Sequence, residues 1–254
     1  MLSEILDFNI IVLITAAFGA GILNTIAGGG TFLTFPALVF TGVPPVAANA
    51  TSAVAVFPGY LGGAVGFGSE LKAFDRSILI RLTVITILGG ALGSGLLIVS
   101  SNQAFSIVVP FLLLFATIVF LFNEDIRRWT TQHRNLVSPY GSVGIFLMSI
   151  YGGYFNGGLG IVFLALFALW GMENIHQMNG LKSGLSFALS AVSVLIFSIG
   201  SMVEWYEALV MMIASTAGGY VGAPIARVLP KTMIRLIITL VGFTMSGVFF
   251  WRLF

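Results

Sequence analysis

The chain has 254 residues, 58% hydrophobic and only 8% charged, with a net charge of +2 and a mean hydropathy of +1.06. A soluble domain of this size carries about a quarter charged residues, so this composition excludes a water-soluble enzyme and places the chain in a lipid bilayer. There is no cysteine, and His133 and His176 are the only imidazoles. That excludes disulfides, thiol chemistry and Cys-based metal clusters, argues against a transition-metal site, and leaves no cofactor expected.

At the start of the chain, Glu4 and Asp7 stand where a cleavable signal needs positive charge, so the first helix is expected to insert the chain itself. Long apolar runs cover roughly 8–27, 46–66, 77–99, 104–122, 139–156, 175–199, 206–229 and 232–252. Each is near the roughly 20 residues that cross a hydrocarbon core. Two shorter runs, 31–42 and 158–170, each follow a glycine break directly.

The first break lies in Gly21-Ile-Leu-Asn24-Thr-Ile-Ala-Gly28-Gly29-Gly30-Thr31, and the chain runs on to Pro36 and Gly42-Val-Pro44-Pro45. Three glycines in a row do not sit in a helix interior. In lipid the freed peptide groups need protein or a water-filled cavity around them. A second break, Gly153-Tyr-Phe-Asn156-Gly157-Gly158-Leu-Gly160, again puts an Asn three residues after a Gly, at an offset of 132 (156 − 24 = 132). Interrupted hydrophobic segments at matching places in two halves point to a transporter's binding site. Each break reads as the tip of a hairpin or re-entrant pair with no net crossing, and two tilted crossings would give the same topology.

Charge supports that count. With the N-terminus outside, nine of the eleven basic residues fall inside, namely Lys72, Arg76, Arg81, Arg127, Arg128, Arg134, Arg227, Lys231 and Arg235, as the positive-inside rule requires. Glu4, Asp7, Glu204 and Glu207 fall outside. Each half then makes three full crossings plus one broken pair, so the second half starts on the opposite face. The fold class expected is an all-α polytopic membrane protein of two inverted repeats in one transmembrane domain, 1–254. The first repeat covers 1–122, a cytoplasmic linker 123–138, and the second repeat 139–254. Past the breaks the repeat continues at an offset of 129: Gly42 with Gly171, Gly89-Gly90 with Gly218-Gly219, and Gly93 with Gly222.

Lys182 is the most informative residue, because no carboxylate lies between Glu173 and Glu204 on its segment. A charge at that depth usually faces a cavity or a partner; the plainer alternative is snorkelling to an interface. Asn24 and Asn156 can satisfy freed backbone groups, donate to an anionic ligand, or do both. Thr31 is expected to cap the short helix after Gly30, whose N-terminal dipole faces the break and favours an anion. Asn49, Thr51 and Ser52 are the first half's counterpart of the Lys182 region, where Asn179 also lies. Taken alone, hydroxyls in membrane helices often bond their own backbone. Glycines spaced as in Gly59/Gly63 and Gly89/Gly93 serve helix packing. The first break is not a phosphate loop, lacking the GK[ST] ending, and no catalytic set lies in the membrane.

The stretch from Gly21 through Thr31 to Pro36, with Gly42-Val-Pro44-Pro45 and Ala48-Asn49-Ala50-Thr51, resembles the TauE/SafE sulfite exporter family. The Gly153-to-Gly158 motif and the Lys182 helix are similar to the family's repeated motif, and the resemblance covers essentially the whole chain. It implies export of sulfite, sulfoacetate or related small sulfur oxyanions across the cytoplasmic membrane. The chain departs from the pattern in having Ser52-Ala53 where the first half would carry a polar-Lys pair. The expected function is a secondary transporter of a small sulfur-containing anion, not an enzyme. Asn24, Asn49, Thr51, Ser52, Asn156, Asn179 and Lys182 are expected to bind the substrate, with Gly28, Gly29, Gly30, Thr31, Gly157 and Gly158 as the broken-helix backbone. A passive anion channel and a non-transporting scaffold are the alternatives. The partners expected are a small anion, the lipid bilayer and a second copy in a homodimer, with no nucleic acid. Both termini are expected outside the inner membrane of a prokaryote.

Overall fold

The computed structural model describes residues 2–26, 28–122, 125, 140–228 and 231–251. All but one residue of the linker 123–138, including Arg127, Arg128, His133 and Arg134, therefore lies outside the described residues, as does Arg252.

The described chain is all-helical. In the first half, α1 (Leu2–Ile26) is followed by α2 (Thr31–Phe40), α3 (Pro45–Gly66), a short α4 (Gly68–Lys72), α5 (Arg76–Ile98) and α6 (Asn102–Leu121). In the second half, α7 (Ser142–Tyr154) leads to α8 (Leu159–Leu169), α9 (Ile175–Ile199), α10 (Trp205–Val228) and α11 (Lys231–Trp251). Every apolar run has become a helix, and α4 is the one helix with no counterpart among those runs. Among the described residues, α5, α6 and α9 are each long and apolar enough to cross a membrane, and Phe8–Asn24 of α1 is a shorter apolar stretch.

Local chemistry sets the boundaries. Asp75 accepts from the Ser77 and Ile78 amides at the start of α5, Ser101 from Ala104 at α6, and Asn174 from His176 and Gln177 at α9. These caps replace carbonyl partners that a first helical turn lacks. Pro45 starts α3, where its missing N–H costs nothing.

Both breaks turn the chain back on itself. A Cβ on Gly19 would meet Leu33 at 3.2 Å, and one on Gly30 would lie 2.6 Å from the Ala20 carbonyl oxygen. In the second half, Gly144 faces Leu166 at 2.9 Å on the same measure, and Gly152 packs directly on Leu159. Late residues of the first helix meet early residues of the next, and Gly144 near the start of α7 meets Leu166 near the end of α8, so α1–α2 and α7–α8 are antiparallel hairpins. At ten and eleven residues, α2 and α8 are about 15 and 16 Å long, half of a hydrocarbon core of roughly 30 Å.

The two short helices also end alike. Gly42 and Gly171 have φ of +95° and +80°, the left-handed conformation glycine takes without strain. The Gly42 and Val43 amides donate to the Val39 and Leu38 carbonyls, and the Gly171 and Met172 amides to the Ala168 and Phe167 carbonyls. Each is a Schellman motif, and the four positions correspond at an offset of 129.

Packing pairs the halves reciprocally. The α1 helix packs on α10 and α7 on α5; α10 packs on α3 and α5 on α9; α2 meets α11 and α8 meets α6. Across the middle, α3 packs on α9 and α6 on α11. Glycines allow the closest of these approaches: a side chain on Gly21 would overlap the Ser215 carbonyl, one on Gly218 the Phe18 carbonyl, and one on Gly153 the Gly90 carbonyl. Buried hydroxyls bridge others, with Ser215 donating to the Ala55 carbonyl at 2.6 Å and Ser246 to the Pro110 carbonyl at 2.8 Å. Phe35 of α2 is fully buried among Phe105, Phe155 and Phe249. The outer face stays apolar, with Ile213 and Tyr220 of α10 exposed.

Candidate functional site

The tips of the two hairpins touch. A Cβ on Gly28 would lie 3.1 Å from the Gly160 Cα, and one on Gly160 would lie 3.1 Å from the Gly28 Cα and 3.2 Å from the Lys182 Cδ. One small region thus holds the first break, the first turn of α8 and the lysine of α9. Any side chain at either glycine would separate them.

Lys182 is 7% exposed. Its ammonium donates to Asn179 Oδ1 at 3.0 Å, one turn back on the same helix. Among the described residues no carboxylate is found acting on its charge. An ammonium has three donors, and a neutral amide oxygen does not compensate a buried charge. Lys182 lies seven residues into α9, about 10 Å from its start.

At the first break, Gly28 takes φ +79°, and the Gly30 amide donates to Asn24 Oδ1 at 2.8 Å. Asn24 reaches the start of α2 because the chain has folded back. The sequence assigned this capping to Thr31, and the structure corrects that: the N-cap is Gly30, with no side-chain cap bond of its own. Thr31 is 2% exposed, and its buried hydroxyl has no hydrogen-bond partner among the described residues.

At the second break, Asn156 takes φ +56° and Gly158 φ +70°. Asn156 Oδ1 accepts from the Tyr60 hydroxyl at 3.3 Å, while its Nδ2 is buried and unpartnered among the described residues. The Tyr151 hydroxyl donates to the Gly157 carbonyl. The matching of Asn24 with Asn156 also needs correction. Asn24 lies inside α1, two residues before its end, whereas Asn156 lies two residues beyond the end of α7. Measured from the helix ends, the breaks correspond at 128 (154 − 26 = 128 and 159 − 31 = 128), one helical turn away from 132.

The remaining candidates lie along α3. Asn49 Nδ2 donates to the Tyr154 carbonyl at 2.9 Å, leaving its Oδ1 unpartnered among the described residues. Ser52 and Thr34 share a hydrogen bond of 2.6 Å, tying α3 to α2. Thr51 accepts from the Glu204 amide at 3.0 Å, ahead of α10. Thr51 and Ser52 thus have protein partners, whereas Lys182, Thr31, Asn49 and Asn156 keep unused polar capacity in buried positions.

Two residues that matter were missed. Tyr60 orients Asn156, and Tyr151 holds the Gly157 carbonyl. A phenol in a nearly all-apolar segment was the available signal, since a buried hydroxyl needs a partner.

The helices α2 and α8 both begin at the breaks, so their N-terminal dipole ends lie by the Gly28–Gly160 contact with the Lys182 side chain beside it. Two positive helix ends and one ammonium make a region of positive potential, with no carboxylate found acting on Lys182 among the described residues. No group of three or more metal-ligating side chains occurs among the described residues.

Residues 13–249 match the family described as "Sulfite exporter TauE/SafE". The chain is 31% identical over 238 residues to a "Probable membrane transporter protein" of Haemophilus influenzae, covering 93% of this chain and 92% of that protein. It is 26% identical over 240 residues to "Probable membrane transporter protein YfcA" of Escherichia coli K12, covering 93% and 87%. Against "Probable membrane transporter protein ORF9" of a Sinorhizobium species it is 23% identical over 240 residues, covering 92% and 89%. No solved structure gives a significant match. By the extent of that family match and of the Haemophilus relative, the chain belongs to the TauE/SafE family of helical, multi-pass membrane proteins.

Proposed function

We propose that the chain is a secondary transporter, an exporter, of a small sulfur-containing anion such as sulfite or an organosulfonate. The observation that carries this is the placing of Lys182 against the contact of Gly28 with Gly160, where two half-length helices begin. The buried ammonium and the two helix ends favour an anion there, and Thr31 Oγ1 and Asn156 Nδ2 are buried donors at the two breaks. Family membership supports the substrate class.

The transport cycle rocks one inverted repeat against the other around this site. The reciprocal packing of the halves and the paired Schellman ends support the repeat. The grouping of helix ends onto two opposite sides is supported by which ends meet, and the positive-inside rule assigns those sides. Asn102 Oδ1 accepts from the Val46 amide, and Thr51 near the start of α3 accepts from the Glu204 amide, which joins ends assigned to the outside. Arg81 donates to the Tyr140 carbonyl and Gly180 packs on Glu70, which joins ends assigned to the inside. Both termini are then outside the inner membrane of a prokaryote, with 123–138 cytoplasmic. A homodimer remains part of the proposal.

The test is thermal stability of the purified protein with sulfite, sulfate, thiosulfate, sulfoacetate, taurine and chloride, for wild type and Lys182→Gln. A ligand at a hundred times its dissociation constant stabilises the folded state by about 2.7 kcal/mol. Selective stabilisation by one sulfur anion, absent from the variant, is expected. Equal response of both proteins to every anion would remove Lys182 from the site.

A further inference from the structure

We propose that Ser186 and Ser190, with Thr86 of the neighbouring helix, form a second oxyanion-binding stretch that leads away from Lys182 along α9. This rests on the reading of Lys182 as the oxyanion site.

Residues 182, 186 and 190 recur every four positions, so they share one face of α9. All three are buried, Ser186 and Ser190 completely. Helical hydroxyls ordinarily satisfy themselves on the carbonyl four residues back, as Ser149 does with Ile145 and Ser198 with Val194 in this same protein. Ser186 and Ser190 do not: neither hydroxyl has a partner among the described residues.

The flanking residues of α9 fix where this face points. Leu189 packs on Gly90 of α5 and Gly152 of α7 on one side, and Ser183 packs on Gly63 of α3 on the other. The serine face therefore looks between α3 and the α5–α7 pair, into the protein interior. On α5, Thr86 shares a face with Gly90 and Ser94, which meet Leu189 and Ser193 of α9. The Thr86 hydroxyl is likewise fully buried and unpartnered among the described residues. Beyond Ser190 the row closes, because Ser94 is placed to donate to Ser193 at 2.8 Å and to the Gly153 carbonyl at 3.2 Å.

Three buried hydroxyls, unpartnered among the described residues and lying past Lys182 along the interior, suit a small tetrahedral or pyramidal oxyanion, whose oxygens accept from O–H donors as they leave Lys182. A cation would meet the ammonium first. An apolar solute would gain nothing from the hydroxyls.

The natural absence of cysteine makes the test direct. Single variants Lys182→Cys, Ser186→Cys, Ser190→Cys and Leu189→Cys of the full chain are reconstituted in liposomes. Each is treated with a membrane-impermeant methanethiosulfonate that carries a sulfonate. Ser186→Cys and Ser190→Cys are expected to react at least about tenfold faster than Leu189→Cys, whose thiol faces apolar neighbours, and sulfoacetate, which unlike sulfite does not consume the reagent, is expected to slow both. Reaction at Lys182→Cys alone would overturn this inference and leave the Lys182 site standing. No reaction at Lys182→Cys either would overturn both readings. Reaction at the serine positions that sulfoacetate does not slow would overturn oxyanion binding there. As a second measurement, Ser186→Ala/Ser190→Ala is expected to carry labelled sulfite about tenfold more slowly, two lost hydrogen bonds being enough for that factor; unchanged flux would overturn the inference.

Discussion

Gly28 and Gly160 are in backbone contact across the two halves of the chain, each leaving 3.1 Å between the other's Cα and the place its own Cβ would take. Gly28 also holds φ at +79°, so two separate features exclude a side chain there. Gly160 is helical and has only the steric one, but Lys182 Cδ shares its space. Gly28→Ala is therefore expected to lose stability, by about 1–2 kcal/mol from the left-handed backbone alone, together with transport. Gly160→Ala should lose transport with a smaller change in melting temperature. Equal loss of stability in the two variants would mean that backbone strain at Gly28 does not matter.

Lys182 offers a prediction in which two signs oppose each other. Without a bound anion, the ammonium is buried with the Asn179 amide oxygen as its one hydrogen-bond partner among the described residues, and an uncompensated buried charge is destabilising by several kcal/mol. Lys182→Met should therefore raise the melting temperature of the anion-free protein while abolishing its response to sulfite. A variant that melts lower than wild type in anion-free buffer would show that the charge is already compensated.

Much of this arrangement was legible in the sequence, because a bilayer makes the signals coarse. Runs of about 20 apolar residues read as candidate spanning helices, three adjacent glycines break one, and a lone lysine amid apolar residues stands out, although the run 139–156 formed a helix of only 13 residues, Ser142–Tyr154. What was not legible depends on the fold-back. The Gly30 amide is capped by Asn24, six residues upstream, and that reach exists only once α2 lies against α1. Thr31 therefore looked like the cap when it was not. Matching Asn24 with Asn156 failed for a different reason: in a chain with 31 glycines, a Gly-x-x-Asn coincidence is easy to find. The helix ends place the two asparagines one turn apart. Nor could the sequence tell the unpartnered Ser186 and Ser190 from Ser198, which bonds back to its own helix.

Asn24 separates capping from anion contact. Asn24→Ala leaves the buried Gly30 amide without its acceptor, at about 1–3 kcal/mol, and should lower the melting temperature with or without anion. Asn24→Asp keeps an acceptor for that amide but brings a negative charge to the break. It should fold as well as wild type and respond less to sulfite. An Asp variant with an unchanged anion response would place Asn24 outside the field of the site.

Tyr60 acts through Asn156. Its hydroxyl holds Asn156 Oδ1 at 3.3 Å, which leaves Nδ2 as the free donor at the second break. Tyr60→Phe removes that orientation without changing the size of the ring. A net hydrogen bond of about 0.5–1.5 kcal/mol corresponds to a rise of up to about tenfold in the transport KM, with the maximal rate little changed. A fall in maximal rate at constant KM would point instead to a part in the conformational step.

Gly42 and Gly171 test whether the two halves are energetic as well as geometric equivalents. They end α2 and α8 at φ +95° and +80°, and neither has an atom within 4 Å of where a Cβ would stand. Replacing either by Ala thus adds backbone strain and no clash. Each substitution should lower stability by about 1 kcal/mol, and the two should agree within error in melts of the purified protein. Both glycines lie at the bases of the hairpins, away from Lys182 and the Gly28–Gly160 contact, so the anion response should survive in both variants. If Gly42→Ala were silent while Gly171→Ala unfolded the protein, the two Schellman ends would not be doing the same job, and the inverted-repeat reading would lose its best-matched pair.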